Sequence, residues 1–225
     1  LFGLVASYAS TIDLPGGAIA GILWVLLLRQ SWKGALIAGL VALIPIASTL
    51  GTYYALTGSI KPFYMQFELY KYAGSYWNDP EALDARVVPK WQDAFHNLFG
   101  HNGLFSLTPV LLIGLWGYVW AIPKRKWDLS RLLLWIAPAL VLILLFVIFR
   151  TGNYGGYCVG SRWLIITMPF LWLAAIPVLE RLGQSSRGKW GAVVLGLLSL
   201  PVVGYTLYWE AFVRSFVETW FLGQF

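Results

Sequence analysis

Residues 132–149 read LLLWIAPALVLILLFVIF, and this stretch decides the fold. It is uncharged from end to end and is bracketed by Arg131 and Arg150. A helix needs roughly 20 apolar residues to cross the hydrocarbon of a bilayer, so the run reads as a transmembrane span. Working outward, five more stretches have that character: about 12–28, 34–57, 104–122, 163–179 and 190–208. Pro45, Pro109, Pro138, Pro169 and Pro201 fall inside the runs. They would stop helices in water, but in a membrane neighbouring helices and hydroxyl side chains satisfy the freed carbonyls. The expected fold is all-α: one polytopic transmembrane bundle over residues 1–225 with about six spans and short interfacial helices in an outer loop, 58–103.

Composition agrees. The 225 residues are 59% hydrophobic and 12% charged, with mean hydropathy +0.69. A soluble domain has about 45–50% apolar and about 25% charged residues. Thirteen Trp, twelve Tyr and thirteen Phe suit rings that gather at the membrane–water boundary. One cysteine, Cys158, excludes an internal disulfide and a multi-cysteine metal cluster. The chain starts at Leu1 with no signal-peptide pattern, which reads as a piece of a longer protein. Residues 1–11 read as the tail of an earlier span or a re-entrant piece.

Basic residues orient the spans. One set of connectors holds Arg29, Lys33, Lys124, Arg125, Lys126, Arg131, Arg181, Arg187 and Lys189 against only Asp128 and Glu180. On the other side, seven basic residues face eight acidic ones. The positive-inside rule puts the first set in the cytoplasm. The pI of 9.5 is thus a topology signal rather than a nucleic-acid footprint. The unusual chemistry gathers on the outer side.

The outer loop holds two helical patterns. PFYMQFELYKY (62–72) spaces Phe63, Phe67 and Tyr70 for a helix lying along the interface. PKWQDAFHNLF (89–99) puts Trp91, Phe95, Leu98 and Phe99 on one face and Asp93 and Asn97 opposite. Between them Asp79, Glu81 and Asp84 read either as paired carboxylates for general-base or divalent-metal work, or as a capped acidic helix start at Pro80. Beyond that reading of the acids, no motif calls for a cofactor. His96 and His101 are five apart across Gly100, with no Glu or Cys to complete a zinc set. Hydrogen bonds to substrate or to the next span suit them better. Asp13, in STIDLPGG, is either an acid at the mouth of a span or a helix cap ahead of Pro15.

The stretch GNYGGYCVGSRW (152–163) lacks the spacing of a nucleotide-binding phosphate loop. Its glycines and Arg162 suit a phosphate at headgroup depth, because Arg pairs bidentately with phosphate and glycines let amides turn toward an anion. Asn153 and Tyr154 add groups able to hydrogen-bond a sugar, with Gly155 and Gly156 alongside. The alternative is a snorkelling Arg162 beside an aromatic-belt Trp163. Cys158 reads as a packing residue.

FGHNGLFSLTPVLLIGLWG (99–117) and NYGGYCVGSRWLIITMPFLWL (153–173), in that order, resemble bacterial GT-C type membrane glycosyltransferases. They are broadly similar to the group of the dolichyl-phosphate-mannose protein mannosyltransferases and lipid A aminoarabinose transferases. The resemblance implies sugar transfer from a polyprenyl-phosphate carrier on the outer side of a multi-pass bacterial inner membrane, with inversion. It also implies a catalytic Asp or Glu in the first outer loop, upstream of this chain. Asp13 and Asp79 are the catalytic candidates within it, and neither stands in the family's context. The implied partners are membrane lipid and a polyprenyl-phosphate-linked sugar, with no nucleic acid. The competing readings are a transporter or flippase for a lipid-linked or anionic substrate, and a non-catalytic membrane scaffold. Charges that avoid the span centres count against transport.

Overall fold

The computed structural model describes residues 1–63, 66–74, 78, 89–100, 103–124, 128–150 and 162–208, with the side chains of 67, 150 and 201–208 left aside. The described residues are all-helical, with ten α-helices and two compact units, Leu1–Val87 and Val88–Phe225. Asp79, Glu81, Asp84, His101, Asn153, Tyr154, Gly155, Gly156 and Cys158 lie outside the described residues.

The first unit holds α1 (Phe2–Ile12), α2 (Gly16–Gln30) and α3 (Trp32–Thr57). At 11 residues, α1 is too short to cross a bilayer. It packs on α3 so closely that a Cβ at Gly3 would collide with the Ala38 carbonyl. Ser31 starts α3 by accepting the Gly34 N–H at 3.1 Å, and Gly58 ends it at φ 69°, where a left-handed residue closes the last turn. Trp24 Nε1 of α2 donates to the Ala35 carbonyl at 3.0 Å and ties the hairpin together.

The expected interfacial helix over 62–72 does not form in the described part. Among the described residues of this stretch, Phe63 and Phe67–Tyr70 are 3₁₀ and none is α-helical. The local contacts explain it. Gln66 Nε2 closes onto the Lys61 carbonyl at 2.5 Å, and Phe63 is held edge-on against Tyr53 of α3 at 4.5 Å. Both fold the segment into a bend rather than a regular helix.

The second unit holds α4 (Lys90–Leu98), α5 (Leu104–Leu107), α6 (Leu111–Trp116), α7 (Asp128–Arg150), α8 (Arg162–Ile165), α9 (Met168–Leu182) and α10 (Ser186–Tyr208). Helix α6 widens into a π-helical turn, Gly117–Ala121, and tightens into a 3₁₀ turn, Ile122–Lys124. Gly114 and Gly117 face α9 so closely that added Cβ atoms would strike the carbonyls of Leu171 and Ala174. Each step of three along α6 matches a step of three along α9, so the two run parallel. Small residues let helix backbones meet in this way.

Helix α7 runs the other way. Its Leu133 packs with Ile122 and Ala174, while Phe146, thirteen residues on, stacks on Trp163 at 5.3 Å. Helix α10 reverses again, with Ala192 and Leu195 against the Ile113–Ala121–Ala175–Val178 cluster and the Ser199 hydroxyl accepting the Val110 N–H at 3.5 Å. Chain direction therefore alternates through α6, α7, α8–α9 and α10.

The prolines divide into two kinds. Pro45, Pro138 and Pro177 sit inside continuous α3, α7 and α9, and Pro201 falls within α10. Pro109 and Pro169 instead mark breaks, so the apolar runs 104–122 and 163–179 each become two helices. At the second break the Leu164 carbonyl accepts both the Thr167 N–H at 2.9 Å and the Thr167 Oγ1 hydroxyl at 2.6 Å, which closes the turn between α8 and α9.

Two helices, Trp32–Thr57 and Asp128–Phe149, are long and apolar enough to cross a membrane, with mean hydropathy 2.0 and 3.1 over their best windows. Only 17% and 28% of those windows are buried. Ile37 and Ile44 are each 62% exposed, and Leu142 is 58% exposed. Large apolar side chains turned outward along a whole helix are costly in water and suit a lipid surround.

Candidate functional site

The candidate site lies at the end of the second unit where α6 begins and α7 ends. Helix α4 starts at Pro89, which suits the first turn because its missing N–H has no partner to lose there. It packs on α7, then turns through Gly100 and Gly103 into α5. The corner is tight: a Cβ at Gly100 would overlap His96, and Ser106 Oγ donates to the Gly100 carbonyl at 2.7 Å. Phe99 stacks near Phe105 across the bend at 5.5 Å.

The expected two-faced pattern of α4 is present, and its orientation is the reverse of a helix on a water-soluble core. Trp91 is 74% exposed, while Phe95 and Phe99 also face outward. Asp93 and Asn97 are both 0% exposed. Asn97 Nδ2 donates to the Asp93 carbonyl at 2.9 Å, whereas its buried Oδ1 has no hydrogen-bond partner among the described residues. A buried amide oxygen without a donor costs about 1–3 kcal/mol. The Asn97 amide is therefore kept against the grain of folding, with the Asp93 carboxylate buried one turn away. A residue retained on those terms is a candidate for contact with a polar ligand.

Arg162 opens α8 with its side chain exposed. Trp163, next to it, is buried and stacked on Phe146, so it is a packing residue rather than a lipid-facing belt residue. Its Nε1 is buried with no hydrogen-bond partner among the described residues. Helices α4 and α8 both pack on α7, which brings the elements carrying His96 and Arg162 to one helix. His96 is half-buried on α4, with its ring edge-on to Phe95 at 5.5 Å.

Asp13 belongs to the other unit. It ends α1 with extended backbone, and its carbonyl accepts the Gly16 N–H at 2.9 Å. It is thus a corner residue between α1 and α2. The cap position of α2 falls to Pro15, without a side-chain bond. Among the described residues, no three His, Cys, Asp or Glu side chains come together as metal ligands do.

The inward pair Asp93 and Asn97 was missed as a site by sequence reasoning, although their spacing of four was visible. The signal that would have found them is the composition of the face opposite, since Trp91, Phe95 and Phe99 suit lipid better than core. The chain matches no family model, no curated protein and no solved structure.

Proposed function

We propose that the chain is part of a multi-pass membrane glycosyltransferase of the GT-C kind, taking a sugar from a polyprenyl-phosphate carrier on the outer side of a bacterial inner membrane. The six apolar runs would alternate across the bilayer, and α4 would lie over the outer end of the bundle. The observation that carries this reading is the inverted helix α4. It presents aromatic side chains outward and holds Asp93 and Asn97 inward. That is the arrangement expected of an outer-loop helix that rests in the headgroup layer and covers a polar pocket. Arg162, exposed at the start of α8, is the cation for the carrier phosphate, and the sequence offers Asn153 and Tyr154 as hydrogen-bonding groups for the sugar.

The test uses the full-length protein in proteoliposomes with a polyprenyl-phospho-sugar donor and a lipid or protein acceptor. Arg162→Ala is expected to abolish transfer with insertion and folding intact. Transfer at the normal rate would remove the phosphate role.

One observation favours a transporter. The helices α5–α6 and α8–α9 are both broken, and α6 and α9 run side by side, as paired discontinuous helices do in transporters. The breaks fall only a few residues into each apolar run, at Pro109 and Pro169, so they sit at the mouth of the bundle and not near mid-bilayer. That position keeps the transferase reading ahead. Counterflow of a labelled lipid-linked sugar without chemical turnover would reverse the order.

A further inference from the structure

The opposite end of the second unit carries a pocket of about 370 Å³, lined by Trp120, Ala121, Lys124, Pro177, Glu180, Arg181 and Gln184. It exists because of three backbone features. Gly114 and Gly117 bring α6 and α9 into backbone contact, which leaves no room for a side chain between them. The π-helical turn then adds a residue per turn to the coil, a device that often marks functional sites in helices. Its wider turn carries Trp120 to the lip of α9, where Pro177 and Arg181 stand one turn apart on the same face.

Trp120 holds two cations at once. Lys124 Nζ is 4.9 Å from the centre of the indole and the Arg181 guanidinium carbon is 4.6 Å from it. Both distances fall inside the roughly 6 Å range of attraction between a cation and an aromatic face. The two charges therefore lie no farther apart than about a Debye length, roughly 10 Å at 0.1 M salt, and repel each other. The ion pairs of Lys71 with Glu68 and of Arg131 with Asp128 lie away from this ring. Among the described lining residues Glu180 is the one carboxylate against Lys124 and Arg181, so they keep a net positive charge, and Gln184 adds an amide.

A rigid ring that fixes an ammonium and a guanidinium beside an open pocket is a receptor for a multiply charged oxyanion. Guanidinium supplies a planar fork for two phosphate oxygens, and ammonium adds a point charge. We propose that this pocket binds a phosphate group at the end of the bundle opposite the outer-loop helix, presented either by the headgroup of an anionic membrane lipid or by a small soluble phosphate. Lys124 and Arg181 come from two basic connectors of the second unit and meet here, and basic pockets between helices suit anionic headgroups. The site is independent of the transfer proposed for the other end, so either can fail alone.

The test is the melting temperature of the purified protein in neutral detergent, titrated with phosphatidylglycerol, phosphatidylcholine or inorganic phosphate. The wild type is expected to be stabilised by phosphatidylglycerol or by phosphate and not by phosphatidylcholine. Saturation by phosphatidylglycerol that millimolar phosphate cannot displace assigns the site to a lipid, whereas saturation by phosphate alone assigns it to a soluble ligand. The double variant K124Q/R181Q should need at least tenfold more of the same anion for half the effect. Should it melt too early to titrate, the single variant Arg181→Gln, which changes an exposed side chain, gives the same reading. Equal response of variant and wild type, equal response to phosphatidylcholine, or no response to either anion overturns the proposal.

Discussion

Two helix contacts in the second unit are built on opposite terms. Between α6 and α9 the backbones meet: Gly114 and Gly117 approach carbonyls directly, and Ala174 and Ala175 are buried to 0% and 1% exposure. On α4, which packs on α7, an acid and an amide are buried whole, while the rings of Trp91 and Phe95, and of Phe99 at its end, face outward. The first contact is made for close packing. The second gives up packing to hold polar groups inside, and a fold does so at a site more readily than in a scaffold.

The largest expected effect lies in the first contact. Gly117→Leu forces a side chain into the space occupied by the Ala174 carbonyl, and it should destabilise the protein by about 3 kcal/mol. The midpoint of unfolding in mixed micelles checks this, and an unchanged midpoint would mean that the backbones do not meet. Next comes the break ahead of α9. Thr167→Val removes the 2.6 Å hydrogen bond to the Leu164 carbonyl at constant shape, and about 1 kcal/mol should be lost by the same measurement.

The second contact should respond in the other direction. Asn97→Leu removes a buried oxygen that has no hydrogen-bond partner among the described residues, so stability should hold or rise by up to about 1 kcal/mol. Transfer activity in proteoliposomes should fall at the same time. A stability loss of several kcal/mol with activity retained would make Asn97 a structural residue and erase the contrast. The smallest effect is at Trp91. Trp91→Phe should change stability by less than about 0.5 kcal/mol in detergent. In bilayers it should lower the share of tryptophan fluorescence quenched by brominated lipids, because that ring is exposed on the side of α4 proposed to rest in the headgroup layer.

Much of this was legible in the sequence. The uncharged run 132–149 became α7, and the apolar stretch 34–57 became α3, closed by Ser31 and Gly58 as capping chemistry requires. The grouping of charges was also sound within the second unit: Lys124 and Arg181, from two separate basic connectors, meet on one indole. Three features were not legible, each for a physical reason. An amphipathic pattern names two faces but not which is inside, because lipid and core favour the same side chains; α4 shows the choice going to the polar face. Proline frees a carbonyl wherever it falls, and only its neighbours decide whether the helix continues, as at Pro138, or breaks, as at Pro169. The π-helical turn leaves no mark in hydropathy, although Trp120 four residues before Lys124 was a visible hint of a cation held on a ring.

The glycine-rich stretch before Arg162 keeps its proposed role as an outer phosphate contact only if the charge asymmetry has been read with the right sign. Lys189, exposed near the start of α10, stands at the basic end of the bundle. In a variant whose single cysteine is that of Lys189→Cys, labelling by a membrane-impermeant maleimide in intact cells measures the orientation directly. No labelling until the membrane is permeabilised is the predicted result. Labelling of the intact cells would turn the protein over, put Arg162 and α4 on the cytoplasmic side, and contradict outward sugar transfer.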